Sequence, residues 1–386
     1  MKAGRVAERS AARLHDRFAS PLHDDRLAAI LGIALGVCFT VCFVTGLVSH
    51  TLQHPPSWFT WPSRPAGLFR ITQGVHVATG IASIPLLLAK LWVVYPKLFR
   101  WPPIASVAHA VERISLIPLI GGALFQLFTG TANIAYWYRP MPFFFTVAHF
   151  WAAWITIGAL IVHIGAKITT TRAVLARGGA PAVAPPRDGL SRRGFLGAIA
   201  ATSGVMVAAT VGDTLRPLNR LSVLAPRRLG LGPQGRPVNR SAAAAGVLET
   251  ARDPRYRLVV DGRVARPLSL SLEELRAMPQ HEAILPIACV EGWSFSARWG
   301  GVRVRDLLDR AGARRGAPAR VESLEAFSIY GTSPLNHLQA HDRDTLLALE
   351  LDGQPLALDH GYPLRLIGPN RPGVDQTKWV HRLVVL

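Results

Sequence analysis

The chain has 386 residues, 49% of them hydrophobic, and a mean hydropathy of +0.24. That length admits two or three domains, and that apolar share calls for a membrane portion. The net charge of +19 does not mark a nucleic-acid-binding protein, because the basic residues flank apolar segments or scatter through the second half instead of forming one patch, and three cysteines exclude a disulfide framework.

Four long apolar segments come first, roughly 27–48, 71–95, 114–134 and 144–168. Each reaches the ~20 residues needed to cross a bilayer as a helix. Cys38 and Cys42 lie on the first of them, four residues apart on one face, and read as packing residues. Lys2, Arg5, Arg9, Arg13, Arg17 and Arg26 precede the first helix. Lys97, Arg100 and Arg113 follow the second, and Lys167, Arg172, Arg177, Arg187, Arg192 and Arg193 follow the fourth. The two remaining loops hold only Arg64 with Arg70, and Arg139. Positively charged loops stay inside, so the N-terminus is expected in the cytoplasm.

Histidine inside a membrane helix is rare and points to function. His149 and His163 share the fourth helix at a spacing of 14 residues. That is about 3.9 turns, so both rings face one side, about 21 Å apart along the axis. The separation suits two haems stacked across one bilayer, and each iron then needs a second axial ligand. By depth, His76 pairs with His149 for an outer haem and His23 with His163 for an inner one. His50 at the outer end of helix one and His109 at the inner start of helix three are competing ligands, whereas His54 and His15 read as loop residues. Iron held by two imidazoles has no open position, so such haems carry electrons.

A fifth segment, Phe195 to Val211, follows Ser191-Arg192-Arg193-Gly194-Phe195. Twin arginines before an apolar run are a bacterial address for export of folded, cofactor-loaded proteins. The plainer reading is two positive-inside arginines beside an ordinary membrane helix. Both readings place the arginines in the cytoplasm and send the C-terminal half out. The expected division is 1–175 for the membrane part, 176–212 for the twin-arginine segment and signal-anchor helix, 213–255 for a linker, and 256–386 for an outer domain. The linker, rich in Pro, Gly, Arg and Ala, reads as a tether. Alternatively its Pro237-Val238-Asn239-Arg240-Ser241 stretch folds back onto the next domain, which would place Asn239 among cofactor-binding residues.

The outer domain reads as α+β, mostly β. Tyr256 to Val260 is strand-like, Ser271 to Ala277 is a short helix with a Ser271/Glu274 capping box, and Val304 to Ala311 is an amphipathic helix. Further strands are expected at 327–330, 346–351, 364–367 and 383–386. An apolar strand at 284–288 delivers Cys289 into a Glu291-Gly292-Trp293 turn. Three readings of Cys289 stand open: an inert buried thiol, a nucleophile, or a soft ligand to a metal already held by an organic cofactor.

The first half, about residues 20–170, resembles the bacterial cytochrome b561 and formate dehydrogenase gamma-subunit group of four-helix dihaem proteins. It does so through the His149/His163 pair and His76, with His23 a looser match. Residues 256–386 resemble the molybdenum domain of the sulfite oxidase group, in particular its branch of periplasmic protein-methionine-sulfoxide reductase catalytic subunits. Three segments carry this: Cys289-Val290-Glu291-Gly292-Trp293-Ser294, then Asp359-His360-Gly361-Tyr362-Pro363-Leu364-Arg365, then Lys378-Trp379. The resemblance implies that Cys289 binds molybdenum and that His360, Arg365 and Lys378 hold the pterin and its phosphate. Trp293 then walls the pocket or belongs to the core. Sulfite oxidases carry an arginine in the turn after the metal cysteine. Val290 to Ser294 has none, and the chain ends at Leu386 where they continue into a dimerisation domain.

Joined, the halves imply a membrane-anchored oxidoreductase with two b haems and a molybdopterin. Electrons would pass from quinol through the haems to molybdenum and an extracytoplasmic, sulfoxide-like substrate. The opposite direction, substrate oxidation feeding quinone, and a haem-binding anchor that only docks a partner are the rival readings.

Overall fold

A computed structural model describes residues 20–99, 104, 106–177, 190–211, 216–326 and 328–386. His15, Arg100, Arg187, Asp213, Phe327 and the basic residues ahead of Ser20 lie outside that set. The chain divides into two compact units, Met1–Val44 with Val75–Thr210, and Thr45–Gly74 with Val211–Leu386.

The first unit is helical. Its elements are α1 (Asp25–Gln53, whose last turns fall in the second unit), α2 (Leu68–Val94, likewise shared at its start), α3 (Val107–Ile134), α4 (Phe145–Ala176) and α5 (Arg192–Val211). All five are long and apolar enough to cross a membrane. Polar side chains close the starts of three of them. Asp24 accepts from the Leu27 amide at 3.1 Å, Ser106 from His109 at 3.2 Å and Ser191 from Gly194 at 3.1 Å. The last of these caps makes Arg192 and Arg193 the opening residues of α5 instead of a flanking tail. Helices α3 and α4 pack closely where Gly122 faces Thr156, since a Cβ on that glycine would collide with the threonine side chain.

The second unit is a sheet-rich α+β domain. One sheet has the order β2-β1-β10-β5-β6, built from β1 (Arg257–Gly262), β2 (Leu268–Ser271), β5 (Ala319–Ser323), β6 (Thr332–Leu335) and β10 (Val380–Val385). Only β1 and β10 in it pair in parallel. The other sheet has the order β3-β4-β7-β8, from β3 (His281–Ala288), β4 (Ser294–Arg303), β7 (Leu346–Leu351) and β8 (Gln354–Pro355), and β9 (Arg365–Ile367) also pairs with β7. Short helices α6 (Leu248–Arg252), α7 (Leu272–Ala277), α8 (Val304–Ala311) and α9 (His337–Ala340) cover the sheets. The capping box at Ser271 is present in full, and Gly312 in the left-handed region ends α8.

Two expectations change. Residues 216–255 are not a free tether. Ala242, Val247 and Ala251 form one apolar cluster with Trp379, and the Ala242 amide donates to Asp359 at 2.8 Å. This is the fold-back alternative, driven by small apolar residues too irregularly spaced to show a period. The strand expected at 327–330 is a turn at its described residues. The Ser328 hydroxyl accepts from the Tyr330 amide at 3.1 Å and the Ser328 carbonyl from Gly331 at 3.0 Å, which bends the chain between β5 and β6.

Candidate functional site

Strand β3 alternates. Ala283, Leu285 and Ile287 point to the buried face, and the same period of two places Cys289 there, 3% exposed. Residues 289–293 form the hairpin loop between β3 and β4, whose ladder ends at Ala288 opposite Ser294. The Cys289 amide donates to the Trp293 carbonyl at 3.0 Å, and Gly292, at φ +83°, donates back to the Cys289 carbonyl at 3.2 Å. Only a residue that tolerates positive φ closes the loop this tightly.

Burial pushes the Cys289 thiol up to about 11, against the pull of the Glu291 and Val290 backbone N–H groups and the charges of Arg227 and Lys378. Donors and cations therefore converge on a sulfur that burial alone would keep neutral, a setting suited to a thiolate bound to a cation. Glu291 is pushed to about 7 by burial, although the Trp293 indole donates to its Oε2 at 2.7 Å and Lys378 lies nearby. Arg227 Nε stands 3.9 Å from the same oxygen.

The second and third motifs supply buried cations. Arg365 is 5% exposed, donates from Nη1 to the His360 carbonyl at 3.0 Å, and lies over the Trp299 ring at 5.4 Å. Its Nε is buried without a hydrogen-bond partner among the described residues, and burial lowers its pKa to about 9. Lys378 donates to the carbonyls of Arg240 and Asp359 and lies 4.7 Å from the Trp379 ring centre. Burial, then the neighbouring Arg365 charge, hold it well below the usual lysine range. His360 is 1% exposed and donates from Nε2 to the Pro233 carbonyl at 2.9 Å. Burial first, and Arg365 second, lower its pKa to about 4. Two desolvated cations, one with an unused donor, make a place where an anion such as a phosphate would be bound strongly.

Residues 245–386 match the family described as oxidoreductase molybdopterin binding domain. Mitochondrial sulfite oxidase of Rattus norvegicus is 36% identical over a region covering 34% of this chain and 29% of its own length. The uncharacterized oxidoreductase YuiH of Bacillus subtilis is 35% identical over 33% of this chain and 63% of its own. A protein of Azospira oryzae, provisionally assigned as protein-methionine-sulfoxide reductase subunit YedZ1, is 33% identical over 34% of this chain and 48% of its own. The C-terminal third is a molybdopterin oxidoreductase domain of the sulfite oxidase type. The chain spans less than two thirds of each of these relatives.

The molybdopterin domain fits its cofactor on the chemistry of its donors: a thiol amid N–H donors and cations, and the unpartnered Nε of a buried arginine. Trp293 is buried beside Cys289. It stacks on Phe295 with ring centres 6.0 Å apart and sits in the apolar cluster that contains Cys289. Asn239 accepts the Arg240 amide at 2.9 Å, and it is the Arg240 carbonyl that meets Lys378. Sequence reasoning missed Arg227 and Tyr330. Arg227 lies in the stretch read as a tether. Tyr330, 44% exposed, whose pKa is raised by desolvation first and then by the Cys289 and Glu291 charges, lies in the segment read as strand.

In the helical unit, α2 and α4 bring His76 and His149 together, with ring centroids 6.2 Å apart and planes at 73°. A nitrogen-to-metal distance of about 2 Å on each side, plus the rings themselves, gives roughly 6 Å between imidazoles sharing one ion. The Nδ1 atoms are already engaged, His76 with the Cys42 carbonyl at 2.8 Å and His149 with Thr129 Oγ1 at 2.9 Å. Such bonds orient a ligating imidazole. Cys42 is thus more than packing, and its Sγ also lies 3.4 Å from His76 Nδ1. His23 packs edge-on against Trp92 at 4.7 Å and Tyr95 at 5.5 Å. His163 has a buried Nδ1 without a hydrogen-bond partner among the described residues. Of the competitors, His50 lies against His54 at 4.9 Å, and His109 Nε2 accepts from Arg113 at 3.3 Å.

Proposed function

We propose that the chain is a membrane-anchored molybdenum oxidoreductase that passes electrons from quinol through two b haems to an extracytoplasmic, sulfoxide-like substrate. The observation that carries this reading is the convergence on one buried loop of the Cys289 thiol, backbone N–H groups and the cations Arg227 and Lys378, inside a domain whose family binds molybdopterin. When bound, the cofactor supplies two-electron oxygen-atom exchange.

The chain's own residues do the rest. Cys289 holds the metal, and Arg365 and Lys378 hold the phosphate end. His360, fixed by Pro233, lines the pterin side. Burial brings the Glu291 carboxyl to about 7, so near neutral pH it can take up or give a proton beside the loop. Reduction of a sulfoxide consumes two electrons and two protons and releases water, and one quinol supplies both. His76 and His149 are the proposed ligands of the outer haem, with His23 and His163 those of the inner one. The five apolar helices and the twin arginines support insertion in a bacterial cytoplasmic membrane, with the molybdopterin domain on the outer side. The Azospira relative supports the sulfoxide substrate class.

The sulfite oxidase relatives favour a second reading, substrate oxidation that feeds quinone. A two-way assay separates them. With haems reduced by quinol, methionine sulfoxide reoxidises them if the reductive reading holds. With haems oxidised, sulfite reduces them if the oxidative one does. Absence of b-type absorbance and of molybdenum from the purified protein refutes both.

A further inference from the structure

The loop between the first two membrane helices belongs to the molybdopterin unit, although it lies some two hundred residues before the matched domain. Asn370, 1% exposed, is its clasp. Its backbone amide donates to the Ala66 carbonyl at 3.0 Å, its Nδ2 donates to the Pro62 carbonyl at 2.8 Å, and its Oδ1 accepts from the Phe69 amide at 3.2 Å. Asn370 sits at φ +50°, a left-handed conformation that asparagine tolerates better than most residues. A second fastening lies beside it. Asp342 accepts from Ser63 Oγ at 2.6 Å and from Arg64 Nε at 3.2 Å, and Arg64 also pairs with Asp344.

These fastenings bear on the metal loop. Phe69 and Leu52 pack against Ala288, the residue before Cys289, and Ala66 packs on the cluster that holds Cys289. Gln73 reaches the Val290 carbonyl at 3.4 Å, a long and weak bond. Three residues after Asn370, Gly373 presses on Ala288 so closely that a Cβ there would stand 2.7 Å from its carbonyl oxygen. Ala288 is thus gripped from two sides, by the membrane-loop residues and by the segment that clasps them.

We propose that residues 61–73 complete the molybdenum site from outside the molybdopterin domain, with Asn370 as the positioning residue that holds them against the Cys289 loop. This rests on the reading of Cys289 as the metal's ligand. The helix that begins in this brace runs on in the chain to His76, a proposed haem ligand three residues after Gln73.

The test uses the full-length protein in detergent with Asn370→Gly, which keeps the backbone conformation but removes both side-chain bonds, and Arg64→Glu, with Arg64→Lys as the conservative control. Amide hydrogen exchange at residues 286–293 is read first. It rises by about tenfold or more in Asn370→Gly and Arg64→Glu, the scale set by losing two net hydrogen bonds, and stays near wild type in Arg64→Lys. Molybdenum content stays stoichiometric, while the Mo(V) electron paramagnetic resonance signal changes. Unchanged exchange at 286–293 overturns the proposal, as does an equal rise across the whole outer unit, which would mark mere destabilisation. A wild type without molybdenum refutes the metal reading, and the exchange data still decide the brace.

Discussion

Arg365 donates to the His360 carbonyl at 3.0 Å while its own Nε has no hydrogen-bond partner among the described residues. A buried guanidinium in that state costs the cofactor-free fold stability, because desolvation of a charge is repaid only by a well-placed counter-charge. Arg365→Met is therefore expected to raise the stability of the cofactor-free protein by about 1 kcal/mol or more, measured by urea unfolding. The same variant loses molybdopterin, measured as molybdenum per chain. A cofactor-free protein destabilised by the change would show that Arg365 is satisfied internally and has no need of a phosphate.

If Cys289 holds the metal as proposed, its replacement separates metal holding from folding. Cys289→Ala removes one sulfur from a packed cluster and is expected to cost no more than about 1–2 kcal/mol. Molybdenum content and substrate turnover fall together to background in that variant, while haem absorbance stays. Stoichiometric molybdenum in the variant removes the thiol's assigned role.

Where residues were legible in the sequence, local rules sufficed. Helix α8 was read to the residue, because its apolar face recurs at helical period. Strand β7 was read to the residue as well, and the Ser271 capping box was visible as a three-residue spacing. The apolar strand that leads into Cys289 was visible too, although its first residues, from His281, were not. The contacts that complete the site were not. Asn370 meets Pro62 across about 300 positions, and Arg240 meets Lys378 through a backbone carbonyl that no side-chain pattern announces. The buried cations Arg365 and Lys378 were reached through resemblance alone, since the burial of a charge leaves no mark in composition. The 216–255 segment lacks periodicity because its buried residues, Ala242, Val247 and Ala251, dock on one tryptophan and not along a regular face.

The His76 and His149 rings stand 6.2 Å apart with both Nδ1 atoms held by the protein. On the proposed two-haem reading, replacing either histidine is expected to remove one haem, read as a halved b-type absorbance per chain. His149→Ala and His76→Ala should do so equally, since each iron needs both axial ligands. Thr129→Val should retain the haem but shift its reduction potential, because it removes the bond that orients His149. Full haem content in His149→Ala would refute the pairing.

Burial of His360 gives the second unit a pH dependence whose sign follows from the direction of its shift. Burial, then the Arg365 charge, lower its pKa to about 4, below the ordinary value of about 6.5. Between those values the unfolded chain binds the proton and the folded one does not. Stability is therefore fully present above about pH 6.5 and is lost as pH falls toward 4, by at most roughly 3 kcal/mol for one proton. In the cofactor-free protein, tryptophan-monitored unfolding of wild type should weaken across that window. His360→Gln, which keeps a donor for the Pro233 carbonyl, should flatten the slope there. An identical slope in the variant would assign the acid sensitivity to other groups, with the lowered carboxylate Asp342, paired with Ser63 and Arg64, the first to examine at lower pH.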